Sequence, residues 1–345
     1  MATRSVATPR PHFVTLGMFI IDELVFLDGQ GKPTGRTLPS QIGGGGTYAN
    51  IGARIWLPPE RLGMIVDRGH DFPEHIQEKL DSYGTEMWMY RDDSSRGTTR
   101  ALIEYKGDYQ ERFQYLTPRI RLTPRDLIGT PLEQPTTMHF ICSPSRAQAI
   151  VSEIKEFPGW SPRTIYEPIP FRCIPDELPA LREVLLSISI FSPNADEALS
   201  LLSMQGTPTK ATVEEAAQRF LDMGVGADGK GTVIIRSGAM GAHILTREGG
   251  GRWIPAFWGP EDVNKVVSVT GAGNSFLGGL SAGLLLADGD VYKAVLHASV
   301  SASFAIEQGG LPALTQKIGD DGSIVELWNG DTPQWRLEGL RARLQ

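Results

Sequence analysis

The stretch Lys265 to Ala287, KVVSVTGAGNSFLGGLSAGLLLA, holds the residue types from which an anion site is made. Val266 and Val267 read as the end of a strand, Thr270 to Gly273 as a tight turn, and Phe276 onward as a helix. In that order Gly271 and Gly273 let the chain turn sharply and leave a ligand room against the backbone, while unpaired amides and the positive end of the helix dipole face incoming charge. Gly278, Gly279, Ala282 and Gly283 are interleaved with Leu280, Leu284, Leu285 and Leu286, so the helix is expected to be buried in close contact with a sheet. The turn is neither of the two commoner glycine motifs. Phe276 stands where a dinucleotide fingerprint has its third glycine, and no GxxxxGK[ST] run occurs in the chain. Taken alone, GxG before a helix also serves as a plain tight turn without a ligand, so the rest of the chain has to decide.

TGAGNSFLGG resembles the second signature of the PfkB/ribokinase family of carbohydrate kinases, usually DTxGAGDxFxGG, and the order of the parts resembles that family from about residue 13 to about residue 315. The resemblance implies an α/β fold with a ribokinase-like, mainly parallel sheet, helices on both faces and a small β lid, as a single domain over residues 1–345. It implies ATP and Mg2+ as cofactors and a sugar or nucleoside hydroxyl as the acceptor. Gly271, Ala272 and Gly273 would form the anion hole, and Asn274 occupies the place of the family's catalytic aspartate base. Ser268 replaces the pattern's first aspartate, whose region helps hold a monovalent cation in relatives.

Further motifs fall in family order. Asp22, after Gly17-Met-Phe-Ile-Ile, matches a substrate-binding carboxylate that accepts hydrogen bonds from two hydroxyls; by itself it also reads as a solvated loop acid. Gly45, Gly46 and Asn50 match the first signature, in which a glycine pair and an amide side chain meet the sugar, although the run Gly43 to Gly46 could equally be a hinge. Asn194 and Glu197 match an element that organises nucleotide phosphates and, through water, magnesium, against the alternative of a plain helix cap with first-turn acids. Arg236, Ser237, Gly238 and Gly241 stand where relatives have TLGxxG on the nucleotide side, with Arg236 in place of threonine, able either to grip a phosphate or to block the site. Glu167-Pro168 falls near a family element facing the site, with its role open, and Gln308-Gly309-Gly310 where the adenine pocket is usually completed.

Asn274 has the shape of aspartate but accepts no proton at neutral pH. General-base catalysis contributes typically about 10²–10⁴-fold, whereas positioning and charge stabilisation carry much of phosphoryl transfer. The expected activity is slow phosphotransfer. The alternative is an inactive nucleotide- or ligand-binding pseudokinase acting through partners, in line with a resemblance of the VTGAGNSF turn and the EPIP segment to divergent fungal family members of the maintenance-of-killer type.

These residues need elements to hold them. Residues 13–21 read as a first buried strand, 42–57 as a glycine loop opening a helix, 61–67 as a strand and 74–83 as a helix, a βα rhythm that implies a parallel sheet covered on both faces. Residues 98–116 break it as a hairpin about Lys106-Gly107-Asp108, and with residues 22–40 they are expected to form a lid that pairs two subunits into a homodimer, as in dimeric relatives. Strands resume at 137–143, 164–170 and 187–194; Thr212 to Glu215 reads as a capping box for a helix through Met223, and 232–246 as a strand, glycine turn and strand. The tail from Ile318 is polar and ends in a short helix.

With 345 residues, 41% of them hydrophobic, the chain can bury a substantial core. Its net charge of −7 and lack of a basic block make nucleic acid and anionic membrane poor candidates as primary partners, and the family resemblance implies a small polyol or nucleoside instead. Cys142 and Cys173 belong to no metal-binding pattern, and no uncharged run is long enough to span a membrane, which together predict a reduced, cytoplasmic protein. Residues 1–11 are weakly like a transit peptide but end in prolines and read as a frayed terminus.

Overall fold

Short, nearly continuous buried runs build most strands of the main sheet in the computed structural model, which describes residues 10–106, 109–319 and 321–344. In chain order the strands are β1 (Phe13–Thr15), β2 (Ile20–Leu27), β3 (Pro33–Thr37), β4 (Gln41–Gly43), β5 (Leu62–Gly69), β6 (Trp88–Asp93), β7 (Arg100–Lys106), β8 (Tyr109–Tyr115), β9 (Thr137–Cys142), β10 (Arg163–Pro168), β11 (Ile190–Phe191), β12 (Thr232–Arg236), β13 (Ala242–Thr246), β14 (Gly250–Ile254), β15 (Leu314–Ile318) and β16 (Ile324–Trp328). The helices are α1 (Gly45–Arg54), α2 (Glu74–Asp81), α3 (Pro144–Lys155), α4 (Leu178–Leu185), α5 (Ala195–Leu201), α6 (Lys210–Asp222), α7 (Ala272–Leu286), α8 (Val291–Ala305) and α9 (Pro333–Ala342).

Nine strands form the main sheet in the order β14-β13-β12-β11-β10-β9-β1-β5-β6, parallel from β12 to β6 and antiparallel at the β12-β13-β14 edge. Successive side chains leave opposite faces, so Met64 and Val66 join one core with α1, α7 and α8, while Ile65 joins the other with α3, α4 and α6. This is the two-sided helix cover expected from the βα rhythm. The lid is a second sheet, β3-β2-β7-β8, with β4 paired to β2. Its strands come from within residues 20–43 and 100–115; Gly107 and Asp108 of the expected hairpin, and residues 1–9 of the expected frayed terminus, lie outside the described residues.

Several local expectations fail for identifiable reasons. Residues 13–21 are not one strand: the chain turns at Gly17, where a Cβ would lie 2.6 Å from Gly46 Cα, so β1 stays in the main sheet and β2 enters the lid. Val266 and Val267 form no strand: Val267 and Ser268 both donate their amides to Ile306 O at the end of α8 rather than to a strand among the described residues. The helix cap is Thr209, not Thr212; Thr212 is its N3 partner, its Oγ1 accepting from Thr209 N at 2.9 Å. The strand expected over 187–194 shortens to Ile190–Phe191, and the tail adds the β15-β16 hairpin before α9.

The glycines of α7 face neighbouring helices more than the sheet. A Cβ at Gly278 would lie 1.8 Å from Ala49 O in α1, and one at Gly279 would lie 2.3 Å from Ser301 Oγ in α8. Three helices therefore meet almost backbone to backbone, which fixes where α7 begins. Gly278→Ala is expected to destabilise the protein by at least about 1–3 kcal/mol through overpacking. A urea midpoint equal to that of the wild type would show that α1 and α7 are not in this contact.

Candidate active site

The parallel strands end on one edge of the sheet, where an open α/β fold gathers its ligand groups. Glu167 lies near the end of β10, Arg236 ends β12, and Asn194 follows β11 as the cap of α5, bridged to Arg236. The N-terminus of α7 faces the same edge. Its cap is Gly271, whose φ of 77° suits a residue without a Cβ, and a Cβ there would strike the Tyr48 ring at 2.2 Å. Ala272 N bonds to Val269 O, but the amides of Gly273 and Asn274 have no acceptor among the described residues.

Asn274 lies where two groups of site residues meet. A Cβ at Gly45 would lie 2.9 Å from Asn274 Nδ2, and Asn274 Nδ2 donates to Glu167 Oε2 at 2.8 Å. Glu167 Oε1 lies 2.9 Å from Arg236 Nη2, while His139 Nε2 lies 3.4 Å from Glu167 Oε2 and its Nδ1 pairs with Thr15 Oγ1 at 3.0 Å. Burial opposes ionisation of Glu167, but Arg236, His139 and Asn274 together hold its carboxyl below the ordinary value. An ionised carboxylate only accepts hydrogen bonds, so the amide of Asn274 is fixed with its nitrogen on Glu167.

At the base of the lid, Asp22 is buried against Gly43, where a Cβ would lie 1.8 Å from Asp22 Oδ2, and Asp22 Oδ1 is a buried oxygen with no partner among the described residues. Burial pushes its carboxyl up to about 7. Gly46 is used structurally, against the backbone of Gly17. Asn50 is fully buried within α1; its Nδ2 donates to Met87 O at 3.4 Å and its Oδ1 has no partner, so it is not gathered with Asp22 and Asn274 by any hydrogen bond. The lid reaches the turn through Tyr105, whose hydroxyl lies 3.4 Å from Thr270 Oγ1.

On the other side of Asn274 a cavity of about 580 Å³ is lined by Arg236, Gly238, Gly241 and Gly273 and by apolar walls that include Trp258, Val266 and Phe276. Of the two valines read as a strand end from the sequence, Val266 is cavity wall and Val267 is exposed. Gln308 is absent from that lining: it bonds to Phe304 O and receives Asn329 Nδ2 beside a separate polar cleft. Ser237 supports the turn rather than the cavity, donating from its amide to Gly241 O at 2.7 Å and from Oγ to Ile235 O at 3.3 Å.

The residues expected to organise magnesium are bonded to each other, although Asn194 also lines the cavity. Asn194 Oδ1 accepts from Glu197 N and Glu197 Oε2 accepts from Asn194 N, a reciprocal helix cap, and the same Oε2 lies 3.6 Å from Arg236 Nη2. Burial pushes the Glu197 carboxyl up to about 7, against the opposing pull of Arg236. A carboxyl that caps a helix beside a fixed guanidinium fits Mg2+ poorly, since the ion takes oxygen ligands and is repelled by a neighbouring cation. Sequence reasoning left Glu167 open and passed over His139 altogether; an acidic residue at the end of a buried parallel strand was the available signal for the first, and nothing local marked the second.

Residues 167–317 match the model of the pfkB family carbohydrate kinases. The chain is 35% identical over 345 residues to an uncharacterized protein of Schizosaccharomyces pombe, covering 95% of this chain and 92% of that protein. Protein MAK32 of Saccharomyces cerevisiae is 33% identical over 347 residues, covering 94% and 90%. Ribokinase from Giardia lamblia has a similar structure, with a TM-score of 0.67 at 20% identity over 87% of this chain and 95% of its own. Phosphofructokinase-2 from Escherichia coli, in complex with substrates and products, gives a TM-score of 0.66 at 17% identity over 96% and 99%. The fold is ribokinase-like, and no helix among the described residues is long and apolar enough to cross a membrane.

Asp22 makes stability depend on pH in a definite direction. Its folded carboxyl titrates near 7 against an ordinary value of 3.8, so the folded state holds the proton more tightly and stability falls as pH rises between the two. Asp22→Asn is expected to lack that fall and, at alkaline pH, to be more stable than the wild type by up to roughly 4 kcal/mol. Urea titrations of both proteins at acid and alkaline pH measure it; parallel pH profiles would show that Asp22 is not an ionising buried group.

Proposed function

The chain belongs to the pfkB family of carbohydrate kinases, as one of its divergent fungal-type members, and we propose that it binds ATP and a sugar or nucleoside in one cleft and transfers phosphate slowly. The observation that carries this reading is the position of Asn274, which touches Gly45 on the acceptor side and, through Glu167, the arginine that lines the cavity. The apolar cavity suits a nucleobase, within the roughly 300–1,000 Å³ usual for small-molecule sites. The amides of Gly273 and Asn274 and the guanidinium of Arg236 supply positive charge for phosphate oxygens.

Asp22, with an unpartnered oxygen, accepts hydrogen bonds from the hydroxyls of a polyol and sets its orientation. With its nitrogen held by Glu167, Asn274 offers its carboxamide oxygen to the reacting hydroxyl as a hydrogen-bond acceptor. It positions that hydroxyl without taking its proton. Transfer then rests on alignment and charge stabilisation and lacks the contribution of a general base, typically about 10²–10⁴-fold. Binding without turnover, with action through partners, is the second reading, and the pinned amide at residue 274 is the observation that favours it. The lid is proposed to join two subunits, with Phe113 and Leu116 exposed on it. Elution at the mass of one chain would remove that part.

Aspartate at 274 alone does not restore an ordinary site. It would stand within hydrogen-bonding distance of Glu167, and two carboxylates so close share a proton. The expected order of ATP-dependent turnover on a sugar and nucleoside panel is wild type below Asn274→Asp, and that below Asn274→Asp with Glu167→Gln, the double variant exceeding the wild type by at least about tenfold. Glu167→Gln by itself is the control for lost pairing with Arg236. A double variant that binds ATP but transfers no phosphate would overturn the slow-kinase reading and leave the binding reading standing.

A further inference from the structure

We propose that Arg236 is this protein's built-in counter-cation for a nucleotide polyphosphate, so that nucleotide binding does not depend on a divalent metal. The inference rests on the nucleotide-binding reading and departs from the expectation that Mg2+ is held at Glu197. Three observations carry it.

The first is the direction of the guanidinium. Nη2 is engaged by Ser192 O at 3.1 Å, by Glu167 at 2.9 Å and by Glu197 at 3.6 Å, but Nη1 has no acceptor among the described residues and lies where a Cβ of Gly273 would be 2.1 Å away. A cation is thus set against the N-terminus of α7, the positive end of a helix dipole, beside the free amides of Gly273 and Asn274. Donors facing donors are a poor arrangement for a purely structural ion pair. An anion that meets both from the cavity side satisfies them.

The second is the place of this contact. Arg236 and Gly273 both line the apolar cavity, so an anion that bridges them from the cavity is continuous with a site for the rest of a nucleotide. A guanidinium forks onto two phosphate oxygens and keeps its charge at any physiological pH, which makes it a resident substitute for a metal ion at this point. The third is the state of Glu197, capped on Asn194 and beside Arg236, where a dication would meet a fixed positive charge.

Isothermal titration of the full chain with ATP and with adenosine, each in EDTA and in excess MgCl2, tests the proposal. ATP is expected to bind with Kd values within about threefold of each other in the two buffers, and at least about tenfold more tightly than adenosine. ATP binding only in MgCl2 would overturn this inference and leave the nucleotide reading intact; no ATP binding in either buffer would overturn both. Glu197→Gln retains an oxygen for the Asn194 cap and is expected to tighten ATP in EDTA, whereas weakening confined to MgCl2 would mark Glu197 as the metal-holding group. Arg236→Gln is expected to lose the preference for ATP over adenosine while still binding adenosine, which reports an intact cavity. If the preference survives in Arg236→Gln, the counter-cation role is wrong.

Discussion

One guanidinium ties the ends of the central strands to the helix that faces them. Arg236, at the end of β12, is paired with Glu167 of β10 and approaches Glu197 of α5, and Glu167 in turn holds Asn274 of α7. Every one of these groups is largely removed from water, so taking away one partner leaves a buried charge, a loss of about 3–5 kcal/mol in comparable pairs. A charge network of that kind does not slide. It also keeps Glu167 ionised, which is why residue 274 must present a donor to it.

The network works only because α7 starts in the right place, and that is set at a distance from the charges. Gly52 and Gly278 bring α1 and α7 into backbone contact, Ser275 Oγ donates to Tyr48 O at 3.1 Å, and Ser301 Oγ of α8 donates to Gly52 O at 2.8 Å. Larger side chains at these positions would move the N-terminus of α7 off the strand edge. The excursion of the chain through the lid has a matching effect on the other side: β4 returns antiparallel to β2, places Gln41 opposite Asp22 and seats Asp22 against Gly43 two residues before α1 begins. One glycine run thereby shapes the acceptor side and opens the helix that packs on α7.

What could be read in the sequence was whatever depends on neighbours along the chain. The turn before α7, the glycine opening of α1, the hairpin of the lid and the βα rhythm all have local signals of residue type and period. What could not be read depends on side chains from separate strands. Whether Arg236 grips or blocks was undecidable until Glu167 was seen beside it, and His139 looks like any core residue of a buried strand until its ring is found stacked near Phe13 and facing Glu167. Val266 and Val267 show the reverse error: apolar, β-branched residues read as strand, although their segment runs along a cavity wall and satisfies its amides on the end of α8. Asn194 and Glu197 combine both readings, being a helix cap and part of the charged cluster at once.

The departures from the usual family signature make sense as one change rather than as separate losses. Where the signature has an acid at 274, this chain has an amide that donates to an acid at 167; where relatives have a threonine at 236, it has an arginine that neutralises that same acid. A carboxylate has in effect been moved back from the reacting position by the length of one hydrogen bond and given a permanent counter-ion. Either departure alone would be unfavourable, since an aspartate at position 274 would repel Glu167, and Glu167 without Arg236 is a buried unpaired charge. Together they are mutually consistent, with Arg236 and Gly273 lining the apolar cavity and Asp22 buried at the edge of the lid.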